Sequence, residues 1–296
     1  IADLEHKVKT VSIKKIKEAI KGKEVPNFFE YAYKRMEIIK STVSYSTYKA
    51  YYAAIVKFEK WVGTRDVYFD DFSVTLLNDY KNYLSKELKN GLTTQRLSII
   101  VLGTIFNQAI KEEIIPETMF PFKKLTLKTD NTKRLFLNKD KILDLTQLKL
   151  IEGKKANLWR DLFLFSIYAG GLRFSDVIEM QYKHYNKNEQ RISKLIRKTG
   201  RPHQFKIGKV AIDILEKYCK EGADNEDYIF PVIEDKKGYE RSESLRYFYT
   251  AKYNKLANWH LKKLGEKMEL PFKLSFHLSR HTFATNALNN GMRIEH

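Results

Sequence analysis

Residues 157–168, Asn-Leu-Trp-Arg-Asp-Leu-Phe-Leu-Phe-Ser-Ile-Tyr, are apolar nearly all the way round a helical wheel. A helix without a polar face has to be covered on every side, so this run predicts the central helix of a domain. Gly170-Gly171 ends it. The chain continues Leu172-Arg173-Phe174-Ser175-Asp176-Val177-Ile178-Glu179. Ser175 is the expected cap of a new helix, whose dipole Asp176 and Glu179 complement. Arg173 is thereby held in a tight turn between a buried helix and a capped one. A side chain fixed there is pre-organised, either for a ligand or to tie two helices together.

Two more stretches of this half carry chemistry. Residues 191–209 read as a hairpin turning at Thr199-Gly200, with seven basic residues and no acidic one. Lys198 sits at the turn, where a flexible ammonium can reach a ligand. Arg197 and Arg201 flank it. Further on, Leu274-Ser275-Phe276-His277-Leu278-Ser279-Arg280-His281-Thr282-Phe283-Ala284-Thr285 predicts a helix capped by Ser275 and stopped at Asn289-Asn290-Gly291. Helical spacing puts His277, Arg280 and His281 on one stripe with Ala284 and Leu288, so the stripe is expected to face the core. Arg and His on one face at a helix N-terminus suit a phosphate. The competing reading is a structural Arg paired with a buried carboxylate and two satisfied histidines. His277 and His281 also have zinc spacing, but Leu278 stands where a Glu should follow the first His. No third ligand presents itself, so zinc is set aside. Between hairpin and final helix, Leu245, Phe248, Tyr249, Leu256 and Trp259 predict the apolar face of a long helix.

The first half has a different texture. Four stripes at helical spacing follow one another: Phe28, Phe29, Ala32, Met36 and Ile39 after Pro26-Asn27; Tyr48, Tyr51, Tyr52, Ile55, Phe58 and Val62 before Gly63; Leu77, Tyr80, Leu84 and Leu88 after Ser73; and Leu97, Ile100, Val101, Ile105, Phe106 and Ile110 from Thr93 or Thr94. No cluster of carboxylates, His or Gly appears among them, which predicts a binding or scaffolding unit. Lys49, Lys57, Lys60, Arg65 and Arg96 can face phosphates or simply be solvated. Residues 123–141, with seven basic and two acidic residues, read as an extended basic linker that can run beside a nucleic-acid backbone, with Lys123, Lys124 and Arg134 as contacts. Residues 1–24 carry seven Lys against four acidic residues and read as a basic tail, the remnant of an upstream module, or a solvated extension. The start has neither an initiator Met nor a secretory signal, so the chain reads as trimmed there.

Charge narrows the partner. A formal net charge of +18 and a pI near 9.6 point to a polyanion, nucleic acid ahead of a membrane surface. The longest near-apolar run, residues 162–172, is too short to span a bilayer. The single cysteine, Cys219, excludes an internal disulfide and fits a reducing compartment; it reads as a buried structural thiol on an apolar helical face.

Taken together, Gly171-Leu172-Arg173-Phe174-Ser175-Asp176, Arg197-Lys198-Thr199-Gly200 and Phe276-His277-Leu278-Ser279-Arg280-His281-Thr282-Phe283-Ala284-Thr285 resemble, in order and separation, the tyrosine recombinase (phage integrase) family, among which the mobile-element integrases of Bacteroidetes look nearest. The resemblance implies a mainly α fold with a small antiparallel β-sheet: a four-helix core-binding domain over 25–122, the linker over 123–135 and a mixed α/β catalytic domain over 136–296. It implies that Arg173 and Arg280 clamp the scissile phosphate, that Lys198 is the general acid for the 5′ oxygen, and that His277 is an acid/base and phosphate contact. Asp176 and His281 are expected in support. The implied partners are double-stranded DNA and further copies of the chain, four protomers on DNA, with no cofactor, no metal and no membrane, in a bacterial cytoplasm near the nucleoid. Cations fixed around a phosphoryl group stabilise its developing charge without a metal, in keeping with that set. One departure matters: the family's nucleophilic Tyr lies downstream of the second Arg, yet the last tyrosine here is Tyr253. The catalytic domain is therefore expected to be incomplete at its C-terminus and inactive in cis. A non-catalytic DNA-binding protein on the same fold, and a type IB topoisomerase, are the alternatives.

Overall fold

The computed structural model describes residues 25–130, 135–150 and 155–292; the basic tail, Arg134 and His296 lie outside the described residues. The chain divides into two compact units, Ile1–Thr132 and Lys133–His296.

Unit 1 holds α1 (Phe28–Ile39), α2 (Tyr45–Val62), α3 (Val74–Lys86) and α4 (Leu92–Lys111). Local chemistry sets their ends. Asn27, Ser44 and Ser73 each accept a backbone N–H of their helix's first turn, and Gly63 closes α2 in the left-handed conformation. The core is aromatic: Phe28 meets Phe69 edge-on at 5.5 Å, and Phe106 meets Phe69 and Phe72 at 4.8 Å. On α4 the expected face is rotated. Leu97 and Ile100 are exposed, while Gln95, Ser98, Ile99 and Leu102 are buried. The two polar residues tolerate burial because Gln95 donates to the Asn90 carbonyl at 2.7 Å and Ser98 to that of Thr94 at 3.1 Å. The start of the expected extended linker is folded instead. Pro121–Lys124 forms a 3₁₀ turn, and Phe120, Phe122, Leu125 and Leu127 pack on this core.

Unit 2 is built on α6 (Lys155–Tyr168), with Trp159 and all of residues 161–167 buried. Around it pack α5 (Lys139–Gln147), α7 (Phe174–Ile178), α8 (Lys209–Tyr218), α10 (Glu243–Lys267) and α11 (His277–Asn289). Asp161 is buried in α6 and accepts from Lys217 Nζ at 2.6 Å and Tyr218 OH at 2.9 Å, which ties α6 to α8. The sheet is antiparallel in the order β1 (Tyr185–Asn186), β2 (Arg191–Ile196), β3 (Arg201–Lys206), with Ile192 opposite Phe205 and Ile196 opposite Arg201. A short α9 (Lys236–Glu240) precedes α10.

Three expectations for this unit are corrected. On α10, Phe248, Leu256 and Trp259 are exposed, and Tyr253, Ala257, Leu261, Leu264 and Gly265 face inward. Close packing selects the small residues: a Cβ at Gly265 would lie 3.0 Å from that of Leu274. On α11 the stripe of His277, Arg280, His281, Ala284 and Leu288 faces outward, and Leu278, Ser279 and Thr282 are buried. Their hydroxyls find partners, Ser279 with Ser166 at 2.7 Å and Thr282 accepting the Leu137 N–H at 3.0 Å. Neither serine caps as expected. Arg173 is the N-cap of α7, with Ser175 inside the helix, and Phe276 precedes α11 without a side-chain cap. Among the described residues no helix is long and apolar enough to cross a membrane.

Candidate active site

Gly170 and Gly171 take φ of +79° and +69°, which folds the chain back sharply after α6. This reversal delivers Arg173 to the start of α7 in extended backbone, its side chain free of capping duty. The same turn receives α11. Arg280 Nη1 donates to the Gly171 carbonyl at 2.9 Å, and Phe174 packs edge-on against Phe276 at 4.9 Å. Two residues more than a hundred positions apart are thus brought to one place by one turn.

Electrostatics show which groups converge. Arg280 is held below the usual guanidinium value by burial and by the nearby Arg173 guanidinium, with Asp176 opposing. His277, at the exposed start of α11, is pushed down by burial and by the charges of His281, Arg280, Arg173 and Lys198. Arg173, Lys198, His277 and Arg280 therefore share one field, although they come from three separate stretches. The side chains of Arg173 and Lys198 make no hydrogen bond or ion pair among the described residues. Like charges gathered in this way, opposed by the buried Asp176 carboxyl, favour an anion between them. The His277 and His281 rings meet edge-on at 4.6 Å, so His281 stands behind His277.

Asp176 is fully buried. Its Oδ1 accepts the Arg197 N–H at 3.2 Å, and its Oδ2 is buried with no hydrogen bond. Burial pushes this carboxyl up, against the opposing pull of the Arg197 N–H, Lys194 and Arg173. His203, on β3 opposite Lys194, shares a 3.1 Å hydrogen bond with the Ala169 carbonyl and is lowered mainly by burial.

The expected nucleic-acid contacts divide. Lys198 and Arg201 are exposed at the hairpin tip, whereas the Arg197 guanidinium is engaged by Glu179 at 3.0 Å. In unit 1, Lys123 is exposed but paired with Glu117 at 2.6 Å, and Lys124 is exposed. Among the described residues no group of three or more His, Cys, Asp or Glu side chains is placed to hold a metal ion. Sequence reasoning missed Glu179 as a tie, Tyr239 behind it and the buried Ser166–Ser279 pair. Only Glu179 left a trace, one helical turn from Asp176.

A helical unit is thus followed by a helix-rich unit whose Gly-Gly turn brings Arg173 and Arg280 together, with His277 and Lys198 in the same field. Residues 27–126 match the phage integrase SAM-like domain, and residues 135–296 match the phage integrase family. The second match spans more than half the chain, which belongs to the phage integrase family, the tyrosine recombinases. That membership places its function in site-specific DNA recombination. The chain is 26% identical over 230 residues to tyrosine recombinase XerA of Pyrococcus horikoshii, covering 77% of this chain and 72% of the relative. It shares its fold with the Tn1549 transposon integrase in complex with circular intermediate DNA (TM-score 0.66, 18% identity, 91% of this chain and 89% of that one). It is similar also to a lambda integrase tetramer bound to a Holliday junction (TM-score 0.60, 16% identity, 90% and 74%).

Proposed function

We propose that the chain cleaves and rejoins double-stranded DNA at specific sites through a 3′-phosphotyrosyl intermediate. Arg173 and Arg280 clamp the non-bridging oxygens of the scissile phosphate, and Lys198 gives a proton to the departing 5′ oxygen. His277, pushed down by burial and then by its charged neighbours, exchanges a proton at the phosphate. Asp176 supports the arrangement by holding the backbone next to Lys198. Bond energy is conserved in the phosphotyrosyl link, so rejoining needs no nucleotide cofactor. Among the tyrosines of residues 1–296 the last is Tyr253, upstream of Arg280, and the attack is assigned to none of them. The active assembly is a homo-oligomer of four protomers on DNA. Arg201 and Lys124 contact backbone phosphates.

The observation that carries this reading is the shared field of four cationic or titratable groups, with the Arg173 and Lys198 side chains unpaired among the described residues. Transition-state charge stabilisation by fixed cations is worth about 10²–10³ in rate per donor. The test is a nicked DNA site incubated with the native full-length protein, the covalent adduct being resolved on a denaturing gel. Arg173→Ala and Arg280→Ala are expected to lose the adduct by about 10²-fold or more while still binding DNA. Unchanged adduct yield removes both residues from the clamp. DNA binding with no adduct from the wild type favours a binding-only protein on this fold.

A further inference from the structure

Lys198 carries the proton in the proposed reaction, yet among the described residues nothing holds its side chain. It lies exposed in the turn between β2 and β3. The residue before it, however, is fastened twice. Arg197 N–H donates to Asp176 Oδ1 at 3.2 Å, and Arg197 Nη1 donates to Glu179 Oε1 at 3.0 Å. Both carboxylates belong to the segment that opens with Arg173.

Glu179 is itself held from two sides. Tyr239, fully buried, donates its hydroxyl to the same Oε1 at 2.5 Å and shares a 3.0 Å hydrogen bond with Thr250 Oγ1 on α10. Lys194 Nζ, on β2, donates to the Glu179 backbone carbonyl at 2.9 Å. One residue thus joins α7, the hairpin, α9 and α10. The charge-assisted pair is partly shielded from water and so is stronger than a surface pair. It binds the hairpin at the position adjacent to Lys198. Resting on the function proposed above, we infer that Glu179, locked by Tyr239, is a positioning residue for Lys198: through the Arg197 guanidinium it fixes the turn that presents the ammonium to the leaving oxygen. Arg197 then serves the turn rather than DNA.

The reaction offers a discriminating probe. A 5′-bridging oxygen leaves as an alkoxide that needs a proton, whereas sulfur in its place leaves as a stable thiolate and needs none. In the native full-length protein, Glu179→Gln and Tyr239→Phe are expected to slow cleavage of ordinary DNA by about 10²-fold, the typical cost of an ångström-scale misplacement. Cleavage of the 5′-bridging phosphorothioate is expected to stay within about threefold of wild type, since the general-acid contribution is absent there. Adding Glu179→Gln to Lys198→Ala should cost nothing more, because both act on one step. Equal slowing of both substrates, or of neither, overturns the inference. A second measurement separates it from the function itself: hydrogen exchange at the Arg197 amide of the chain 1–296, with α6 amides as reference. Exchange at Arg197 at least about tenfold faster in Glu179→Gln, with α6 unchanged, supports the strap; unchanged exchange refutes it. If Lys198→Ala itself spares the phosphodiester, the proposed role of Lys198 falls, while the exchange result still decides whether Glu179 holds the turn.

Discussion

Replacing Gly171 by Ala tests the turn on which the whole cluster depends. Gly171 sits at φ +69°, where an L side chain costs about 1–2 kcal/mol. A Cβ there would also lie 2.9 Å from Phe283 Cδ1, closer than real contacts allow, and 3.3 Å from Phe283 Cβ, a tight contact. Forcing a methyl into a packed site costs about 1–3 kcal/mol more. The loss of unfolded-state entropy returns about 0.4–1 kcal/mol. The sum is a destabilisation of about 1–5 kcal/mol, with its middle at ~3 kcal/mol. Gly200 is a natural control: its φ is +63° and nothing lies within 4 Å of where its methyl would sit, so Gly200→Ala bears backbone strain alone, about 1 kcal/mol. The assay is urea denaturation read by hydrogen exchange of α6 peptides, comparing midpoints at constant slope. Phe283→Ala in the same chain should bring Gly171→Ala down to the Gly200→Ala value. Equal midpoint shifts for the two glycines, or no relief by Phe283→Ala, refute the steric account. Because the Gly171 carbonyl also receives Arg280, the displaced turn should carry Arg280 with it.

Two further outcomes follow from buried polar groups. His184 is held near a pKa of about 4, mainly by burial and then by Lys194 and Lys183, and its Nδ1 accepts the Gln181 N–H at 3.0 Å. The folded value lies below the unfolded one, so this stability is present above pH ~6.5 and is lost as pH falls toward ~4. The loss is about 1–3 kcal/mol after allowance for partial exposure. An NMR titration placing His184 near its unperturbed value would contradict this. Asp161→Ala leaves Lys217 and Tyr218 without their acceptor and should cost about 1–3 kcal/mol in urea denaturation, whereas a change under about 0.5 kcal/mol would mean that water replaces the carboxylate.

What could be read before the structure, and what could not, separates along a physical line. Asn27, Ser73 and Gly63 act within a few residues of themselves, so helix ends they control are written locally. The all-round apolarity of residues 157–168 likewise admits one environment. The inward face of α10 is decided by fit instead: Ala257 and Gly265 go in and Trp259 stays out, against simple hydrophobicity. The inward face of α11 depends on Ser279 meeting a hydroxyl 113 residues away and Thr282 meeting a backbone amide 145 residues away. At the site, residue types marked Arg173, Lys198, His277 and Arg280. The tie from Glu179 to Tyr239 spans 60 residues and had no local signature.

The clasp at Leu137 has a mechanical meaning. Its N–H is taken by Thr282 and its carbonyl by Asn286 Nδ2 at 3.2 Å, so the incoming backbone is fastened by side chains of α11 as a strand would be by a neighbouring strand. A tug on the chain at this point bears directly on the rod that carries His277 and Arg280. A load applied at residue 137 is thereby passed through Thr282 and Asn286 to the helix whose first turn carries His277 and Arg280.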